Sequence, residues 1–311
     1  MYEEKPKNEE KPKNDEKHYQ TEWSFSFADL GDRINEFVRS LGASGDQAAI
    51  KTERFSEPLG SSTSARVRLD TPVGETTVKA ASGDVLIDAE ITHIGEIEFA
   101  VVGETEKNVT LSQKSEAADW VRGVFGWMGS QGKLRWDVAL SPQVPLSLDI
   151  HSGLGKSTYD LSQIQLTGVD IHGGAGEMAL LLPPMPDTYR AVVNGGIGEI
   201  HVHVPANASV DLKLRAGTGE IKLDIGDNAE LRADIKGGIG ETKIRLPYGA
   251  AVRLEARMGL GQVNVPSSFT RLSGTSGGIG GNGIWQSPNY ETAARKIKIS
   301  FDGGVGELKV Q

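Results

Sequence analysis

A pair of glycines separated by one residue recurs eight times in this chain at an almost constant interval. The second glycines of successive pairs are 21, 22, 21, 21, 21, 19 and 26 residues apart. Self-similarity at a fixed period indicates a repeat protein, in which each unit stacks on its neighbours. The eight segments are Gly153–Lys156, Gly174–Glu177, Gly196–Glu199, Gly217–Glu220, Gly238–Glu241, Gly259–Gln262, Gly278–Gly281 and Gly304–Glu307.

Side chains alternate in polarity on both sides of each glycine pair. Residues 199–204 after one pair and residues 210–215 before the next both alternate polar and apolar side chains. A period of two predicts a β-strand with one buried face. One repeat cannot bury its own face, so neighbouring repeats must stack on each other. The sequence therefore predicts an all-β fold over residues 62–311, a β-solenoid of stacked coils with a repeat of about 21 residues.

The glycines are expected at a tight corner of each coil. Glycine is needed where φ is positive or where neighbouring backbones come too close for a Cβ atom. The residue between the two glycines is usually apolar and is predicted to point into the core, so a charge at Ile239 is expected to be buried and costly. These intervening residues are Leu154, Ala175, Ile197, Thr218, Ile239, Leu260, Ile279 and Val305.

Two weaker copies of the corner precede the regular series. They occupy residues 73–75 and 94–96 and are again 21 residues apart. The next interval, from Gly95 to Gly155, is 60 residues long and breaks the period. It contains the aromatic-rich run Trp120–Met128, which we interpret as an insertion near residues 112–132 that packs on the solenoid.

The chain ahead of the repeat divides into three parts. Residues 1–20 contain one charged hexamer twice and almost no apolar side chains, which is typical of a disordered tail. Residues 21–42 are predicted to form one short amphipathic helix, because Ser26 suits its N-terminal cap and apolar residues recur at helical spacing before Gly42. Residues 43–61 carry Gly, Ser and Pro without a sustained period and are interpreted as a linker.

The apolar face of that helix is the candidate partner-binding surface. Acidic side chains outnumber basic ones on its polar side, which disfavours an anionic membrane and favours a protein. Two roles remain open, because the helix either covers the open first coil of its own solenoid or binds a protein partner. The face consists of Phe27, Leu30, Ile34, Phe37, Val38 and Leu41.

Stacking places equivalent residues of successive coils in columns on the surface. The residue after each glycine pair is most often Glu, so like charges are expected one coil apart unless neighbouring columns compensate them. Lysines stand two positions further on, and basic residues precede the glycines. These columns form either a self-neutralising solvated face or a charged docking strip for a partner. The residues concerned are Glu199, Glu220, Glu241, Arg215, Lys236 and Arg257.

Composition disfavours several classes of function. The formal net charge is −9 and the pI is near 5.3, so the chain is poorly suited to bind nucleic-acid phosphates. Cysteine is absent, which excludes disulfides and thiol chemistry. The N-terminus has no apolar leader and no stretch of about 18 apolar residues occurs, so we expect a cytoplasmic protein without a membrane span.

Patterns of catalytic or metal-binding residues are fragments of the repeat. Residues 153–158 match part of a phosphate-binding loop, but the first glycine of that motif would fall at Ile150. Residues 274–278 match G-x-S-x-G, yet no helix-forming sequence follows. His151 and His172 fall in one column about 5 Å apart, but Asn194 occupies the next position, so no metal site is predicted. We therefore expect neither a cofactor nor enzymatic activity.

The aligned units also resemble a known family. The run from Asp160-Leu161-Ser162 through Gly173-Gly174-Ala175-Gly176-Glu177-Met178 to Leu182-Pro183, with residues 67–75 and 134–138, is similar to the toast-rack solenoid of bacterial envelope-stress proteins, the C-terminal domain of LiaF-type regulators. The resemblance covers roughly residues 62–311. It implies scaffolding or sensing in the cell-envelope stress response, without catalysis. The partner we expect is a protein or a second copy of the chain, with no membrane span and with peripheral membrane contact through a partner. A self-assembling structural solenoid and a carbohydrate-binding or carbohydrate-active β-helix are the alternatives.

Overall fold

The computed structural model describes residues 50–114, 134–275 and 281–311. Within these residues every regular element is a β-strand, so the described chain is all-β as predicted. The expected tail (1–20), the expected helix (21–42) and most of the expected insertion (112–132) lie outside the described residues. The strands are β1 (Lys51–Pro58), β2 (Ser64–Val73), β3 (Glu75–Ala80), β4 (Val85–His93), β5 (Glu96–Val102), β6 (Glu106–Lys114), β7 (Arg135–Leu140), β8 (Leu146–Asp160), β9 (Leu166–Leu181), β10 (Tyr189–Val204), β11 (Ser209–Ile225), β12 (Glu230–Arg245), β13 (Val252–Asn264), β14 (Thr270–Thr275), β15 (Asn282–Gln286) and β16 (Ile297–Val310).

The centre of the fold is a parallel stack of long strands, each of which bends at one glycine pair. Strands β8 to β12 pair with one another in chain order. Between β10 and β11, Glu199 lies opposite Glu220 and Ile200 lies opposite Ile221, which is a shift of one repeat. Each repeat is therefore one coil, with an arm before the corner, an arm after it and a turn that leads to the next coil.

The inward side chains of both arms belong to one continuous apolar core. In β11, Leu212 and Leu214 before the corner and Leu223 after it are fully buried. Such side chains stand at every second position of an arm and pack against their equivalents in the coils above and below. Burial of this apolar surface, at about 25 cal/mol per Å², is the main force that holds the coils together.

The glycine corner has both properties that favour glycine. Gly198, the second of its pair, has a φ of 131°. A Cβ atom at this position would lie 1.9 Å from the carbonyl oxygen of Gly176 in the preceding coil. Residues with a Cβ atom rarely adopt this φ. The Gly176 carbonyl is a backbone group, so it cannot rotate away from a Cβ atom as a side chain can. The second glycines of the stacked coils therefore form a column of direct backbone contact.

The residue between the two glycines points out of the coil, so the prediction that it enters the core is wrong. Ile197 is 60% exposed and Ile239 is 58% exposed. The inside of the corner is filled instead by Ile200, whose Cδ1 would lie 2.4 Å from a Cβ atom at Gly195. Counted forward from the buried Ala191 and Val193, strict alternation would turn Ile197 inward, so the alternation is already broken within the corner before Ile197. A charge at Ile239 is therefore not buried.

The coils do not stack in chain order near the C-terminal end. Strand β16 lies between β12 and β13, where Val305 is opposite Ile239 on one side and Leu260 on the other. On its other side β13 pairs antiparallel with β15, which pairs antiparallel with β14. Because the corner of β16 has the same Gly-x-Gly-Glu sequence as the others, it fits the register between two coils that are consecutive in the sequence. A simple chain-order stack is therefore wrong at this end.

At the opposite end of the stack, the strands change direction. Strands β2 and β3, joined at Gly74, lie parallel to β8, and β6 and β7 lie parallel to β2 and β3. Strands β4 and β5 run antiparallel to β7 and β6. Gly95 at the β4–β5 corner does not join the glycine column, because the nearest atoms to a Cβ there belong to Gln113 and Lys114 at 4.0 Å. The weak copy at Gly74 is thus part of the regular stack, and the copy at Gly95 is not.

Strand β1 lies within residues 43–61, a segment whose sequence indicates a linker. It pairs antiparallel with β4, from Lys51 opposite His93 to Pro58 opposite Val85. The Phe55 and Phe99 rings lie 5.6 Å apart, centroid to centroid. Most side chains of β1 are exposed, so its sequence lacks the alternating pattern by which a half-buried strand is recognised.

Candidate functional site

The residues between the two glycines of each corner form a line along the stack, which we call the corner column. Ile197 lies opposite Ala175 and Thr218, and Ile239 lies opposite Thr218 and Val305. Neighbouring strands are about 4.8 Å apart, so the column presents one side chain per coil at that spacing. Its large exposed apolar members range from 45% exposure at Val305 to 60% at Ile197. In stacking order the corner column is Leu154, Ala175, Ile197, Thr218, Ile239, Val305 and Leu260.

A line of glutamates runs beside the corner column, on the arm that follows each corner. Lysines bridge the glutamates of successive coils. The Nζ atom of Lys243 is 2.8 Å from Glu220 Oε1 and 3.0 Å from Glu241 Oε2. Lys222 and Lys309 bridge the neighbouring intervals at 2.5 to 3.3 Å. We call these glutamates the acidic column; they are Glu199, Glu220, Glu241 and Glu307.

The ion pairs change the titration of the groups that form them. The hydrogen bond from Lys243 holds the pKa of Glu220 below its usual value. Hydrogen bonds from Lys243 and Lys309 lower the pKa of Glu241 in the same way. In return, the hydrogen bond to Glu220 raises the pKa of Lys243. The charged forms are favoured at neutral pH, so the like charges of the acidic column are compensated within their own face.

The basic residues before the glycines form a separate column on the arm that precedes each corner. Arg215 lies opposite Lys236, and Asp302 of β16 lies opposite both Lys236 and Arg257. Arg257 is 2.5 Å from Glu255 and 3.8 Å from Asp302. The six residues predicted as a charge ladder therefore belong to two columns that lie on opposite sides of the corner.

The two histidines expected in one column are stacked on each other. The ring centroids of His151 and His172 are 4.9 Å apart, which matches the predicted spacing. Nε2 of His151 is 3.0 Å from Asp149, and Nε2 of His172 is 3.1 Å from Asp170. Each imidazole thus has a carboxylate partner on its own strand. Across the described ranges, no group of three or more His, Cys, Asp or Glu residues is placed to hold a metal ion.

The segment that matches part of a phosphate-binding loop is a regular corner of the stack. A Cβ atom at Gly155 would lie 2.0 Å from the carbonyl oxygen of Gly74. Lys156 Nζ is 3.4 Å from Glu177 Oε2 in the next coil. The backbone that would surround a phosphate contacts a neighbouring coil instead. The G-x-S-x-G match extends into residues 276–280, which lie outside the described residues.

Sequence reasoning missed the corner column as a surface, although one signal was present. Leu214 and Ile221 are both buried and are seven residues apart. Buried residues on one face of an uninterrupted strand are separated by even numbers, so an odd separation requires a break in the alternation. Gly219, with a φ of 136°, lies within that interval. The odd separation of Leu214 and Ile221 shows that strand alternation alone cannot assign the residue between the two glycines to the core.

Two other expectations concern helices. The apolar face predicted at Phe27, Leu30, Ile34, Phe37, Val38 and Leu41 lies outside the described residues. In the part of the chain that the structure describes, no helix is long and apolar enough to cross a bilayer.

Parallel coils that bend at a glycine pair and share one apolar core define a β-solenoid. Among β-solenoids, the spacing of the corners and the register of the strands restrict the families to which the chain can belong. The chain belongs to the toast-rack family, because the sequence model for the N-terminal domain of toast_rack, DUF2154, matches residues 43–203, just over half of the 311 residues. The match includes β1 to β9 and most of β10. The resemblance drawn from the sequence is thus confirmed at the level of the toast-rack family.

Two solved structures are distantly similar. A candidate cell adhesion protein from Clostridium sporogenes is 18% identical, with 84% of this chain and 99% of that chain covered and a TM-score of 0.41. A candidate adhesin from Bacteroides fragilis is 13% identical, with 86% of this chain and 100% of that chain covered and a TM-score of 0.35. No curated protein matches the chain.

Proposed function

We propose that this protein is a non-catalytic scaffold or sensor that binds a protein partner in the bacterial cell-envelope stress response. Membership of the toast-rack family supports the proposal, because that is the role implied by the resemblance to LiaF-type regulators. We place the protein in the cytoplasm, where its contact with a membrane is made through the partner.

The observation that carries the proposal is the continuous register of the stack. Strands β10 and β11 stay in register from Tyr189 opposite Val210 to Val204 opposite Ile225. Lys243 adds a lateral link by bridging glutamates of two coils. Backbone ladders, a shared core and these ion pairs hold surface positions at fixed distances. A platform of this kind suits a protein whose task is to position other groups.

We assign recognition of the partner to the apolar face at Phe27, Leu30, Ile34, Phe37, Val38 and Leu41. The test replaces Ile34 and Phe37 with Ser in the full chain and compares capture of a partner bound by the wild type. The control replaces Arg33 and Glu36 with Ser, which changes the same segment without changing its net charge. We expect the first variant to lose capture with unchanged thermal unfolding and the second to keep it.

The same variants separate recognition from capping of the first coil. A lower unfolding temperature or aggregation of the Ile34→Ser, Phe37→Ser variant indicates that the segment covers the solenoid end. Equal capture by this variant and the wild type contradicts the assignment of recognition to the face.

A self-assembling solenoid is the second candidate, and the ends of the strand order favour it. That order begins at β1 and ends at β14. Outermost strands present backbone N–H and C=O groups to which another strand can pair. Sedimentation over a wide range of protein concentrations tests this function. Growth of the particle in steps of the monomer mass supports it, and one constant monomer mass contradicts it.

A further inference from the structure

One end of the stack is covered by an outer strand over only one of its two arms. Strands β4 and β5 are the arms of one coil at this end, and they meet at a corner around Gly95. Strand β1 pairs along β4 from its first residue to its last. In the described part of the chain, β5 pairs with β6 and with no other strand. The second edge of β5 (Glu96–Val102) is therefore open among the described strands.

The apolar side chains of these two arms differ in burial. In β4, which β1 covers, Leu86 and Ile91 are fully buried. In β5, Ile97, Phe99 and Val101 pack against the same core but are only partly buried. One further strand on the edge of β5 would cover these three side chains, as β1 covers those of β4.

Strand β5 lacks the features that usually protect an exposed edge. Edge strands of soluble proteins commonly carry Lys, Pro or a bulge, which discourage pairing with another strand. Strand β1, at the same end, has Lys51, Arg54 and Pro58, with a register irregularity next to Pro58. Strand β5 reads Glu-Ile-Glu-Phe-Ala-Val-Val, without Lys, Pro or Gly, and Val102 is 67% exposed. This contrast indicates that the edge of β5 is available to another strand.

The side chains of β5 define the chemistry that a strand on this edge needs. Glu96 and Glu98 on the outward face are exposed, and neither forms an ion pair with a described residue, although Lys114 lies opposite Glu96. Opposite charges on neighbouring strands attract, and the inward positions beside Ile97 and Phe99 favour apolar side chains. We propose that β5 binds an extended segment of a protein partner in which apolar residues alternate with Lys or Arg.

Backbone hydrogen bonds would hold such a segment, and its alternate side chains would provide specificity. The edge of β5 is a different surface from the apolar face at Phe27–Leu41. The proposal therefore adds a second contact with a protein partner to the function proposed above.

Hydrogen exchange of the full chain tests the contact with a defined probe. The probe is a synthetic peptide in which Lys and Val alternate over seven residues, the length of β5. The control peptide has the same composition with its lysines grouped at one end. At saturation the probe should slow exchange within residues 96–102 at least about tenfold, and the control should change it less than about twofold. Equal effects of the two peptides overturn the proposal.

Reversing the outward charges of β5 tests the choice of basic side chains. The variant with Glu96→Lys and Glu98→Lys should prefer a probe in which Glu replaces Lys. The control variant with Asp187→Lys and Glu230→Lys changes the net charge equally at exposed positions on other strands and turns, and it should keep the preference of the wild type. All four substituted side chains are exposed, so both variants should unfold near the wild-type temperature. An unchanged preference in the β5 variant overturns the proposal.

The same measurements identify other occupants of the edge. If exchange within residues 96–102 is as slow as within β6 in the free protein, the chain itself covers the edge, and the proposal is overturned. Association between copies that the β5 variant abolishes would assign the edge to a second copy and overturn it as well. The Ile34→Ser, Phe37→Ser variant should bind the alternating probe as the wild type does, so failure of this proposal can be distinguished from failure of recognition by Phe27–Leu41.

Discussion

Replacing Gly219 with alanine tests the close approach of coils at the glycine corner. Gly219 has a φ of 136°, and a Cβ atom there would lie 1.8 Å from the carbonyl oxygen of Gly198. Backbone strain at this φ costs about 1–3 kcal/mol in a residue other than glycine. Relief of the clash costs about 1–3 kcal/mol more, because both coils are held in register by their neighbours. We expect the free energy of unfolding to fall by about 4 kcal/mol.

Gly60 provides the matched control for backbone strain without a clash. Its φ is 56°, and no atom lies within 4 Å of the position that a Cβ would take. Gly60→Ala is expected to cost about 1 kcal/mol, the usual penalty for a left-handed residue with a side chain. Urea unfolding followed by circular dichroism measures both losses, and the melting temperatures should fall by about 12 °C and about 3 °C. Equal losses in the two variants would refute the argument that backbone contact between coils makes glycine necessary.

Three further predictions test the core, the acidic column and the strand order. Leu223→Asp buries a charge at a fully buried position and should cost several kcal/mol, whereas Ile239→Asp at an exposed corner should cost under ~1 kcal/mol in the same urea assay. Because the pKa of Glu220 is lowered from its usual value of 4.5, its stabilising effect is present above that pH and is lost as the pH falls through the lowered pKa. Unfolding measured from pH 6 to about pH 2 should therefore show a smaller loss for Glu220→Gln than for the wild type, and parallel curves would contradict this. Deleting residues 296–311 should unfold the region around β12 and β13, as monitored by hydrogen exchange, whereas coils stacked in chain order would lose protection only next to the deletion.

The period of the repeat made most of the fold predictable from the sequence. Gly198, Gly219 and Gly240 are 21 residues apart, and the structure sets them in register. The bridging of Glu220 and Glu241 by Lys243 also follows from the same spacing. These features depend only on which residues of successive repeats occupy equivalent positions, and the period of the repeat gives those positions directly.

Features that depend on more than the equivalence of residues between repeats could not be predicted from the sequence. The outward direction of Ile239 depends on a break in strand alternation within the corner, which a count of apolar positions does not locate. The position of β16 depends on which coil it joins, and every corner offers it the same pairing surface. Strand β1 pairs through its backbone while most of its side chains stay exposed, so hydrophobic periodicity does not reveal it.

The position of β16 sets a condition on how the chain folds during synthesis. Strands β12 and β13 are made in succession, yet each pairs with β16, which is made after residues 265–296. As chains emerge at about 5–20 residues per second, the final partner of the facing edges of β12 and β13 is absent until that strand has been made. Open edges in a growing chain attract neighbouring nascent chains. The final order of the toast-rack stack is therefore complete only after a late strand is made, and it does not arise by adding coils one after another.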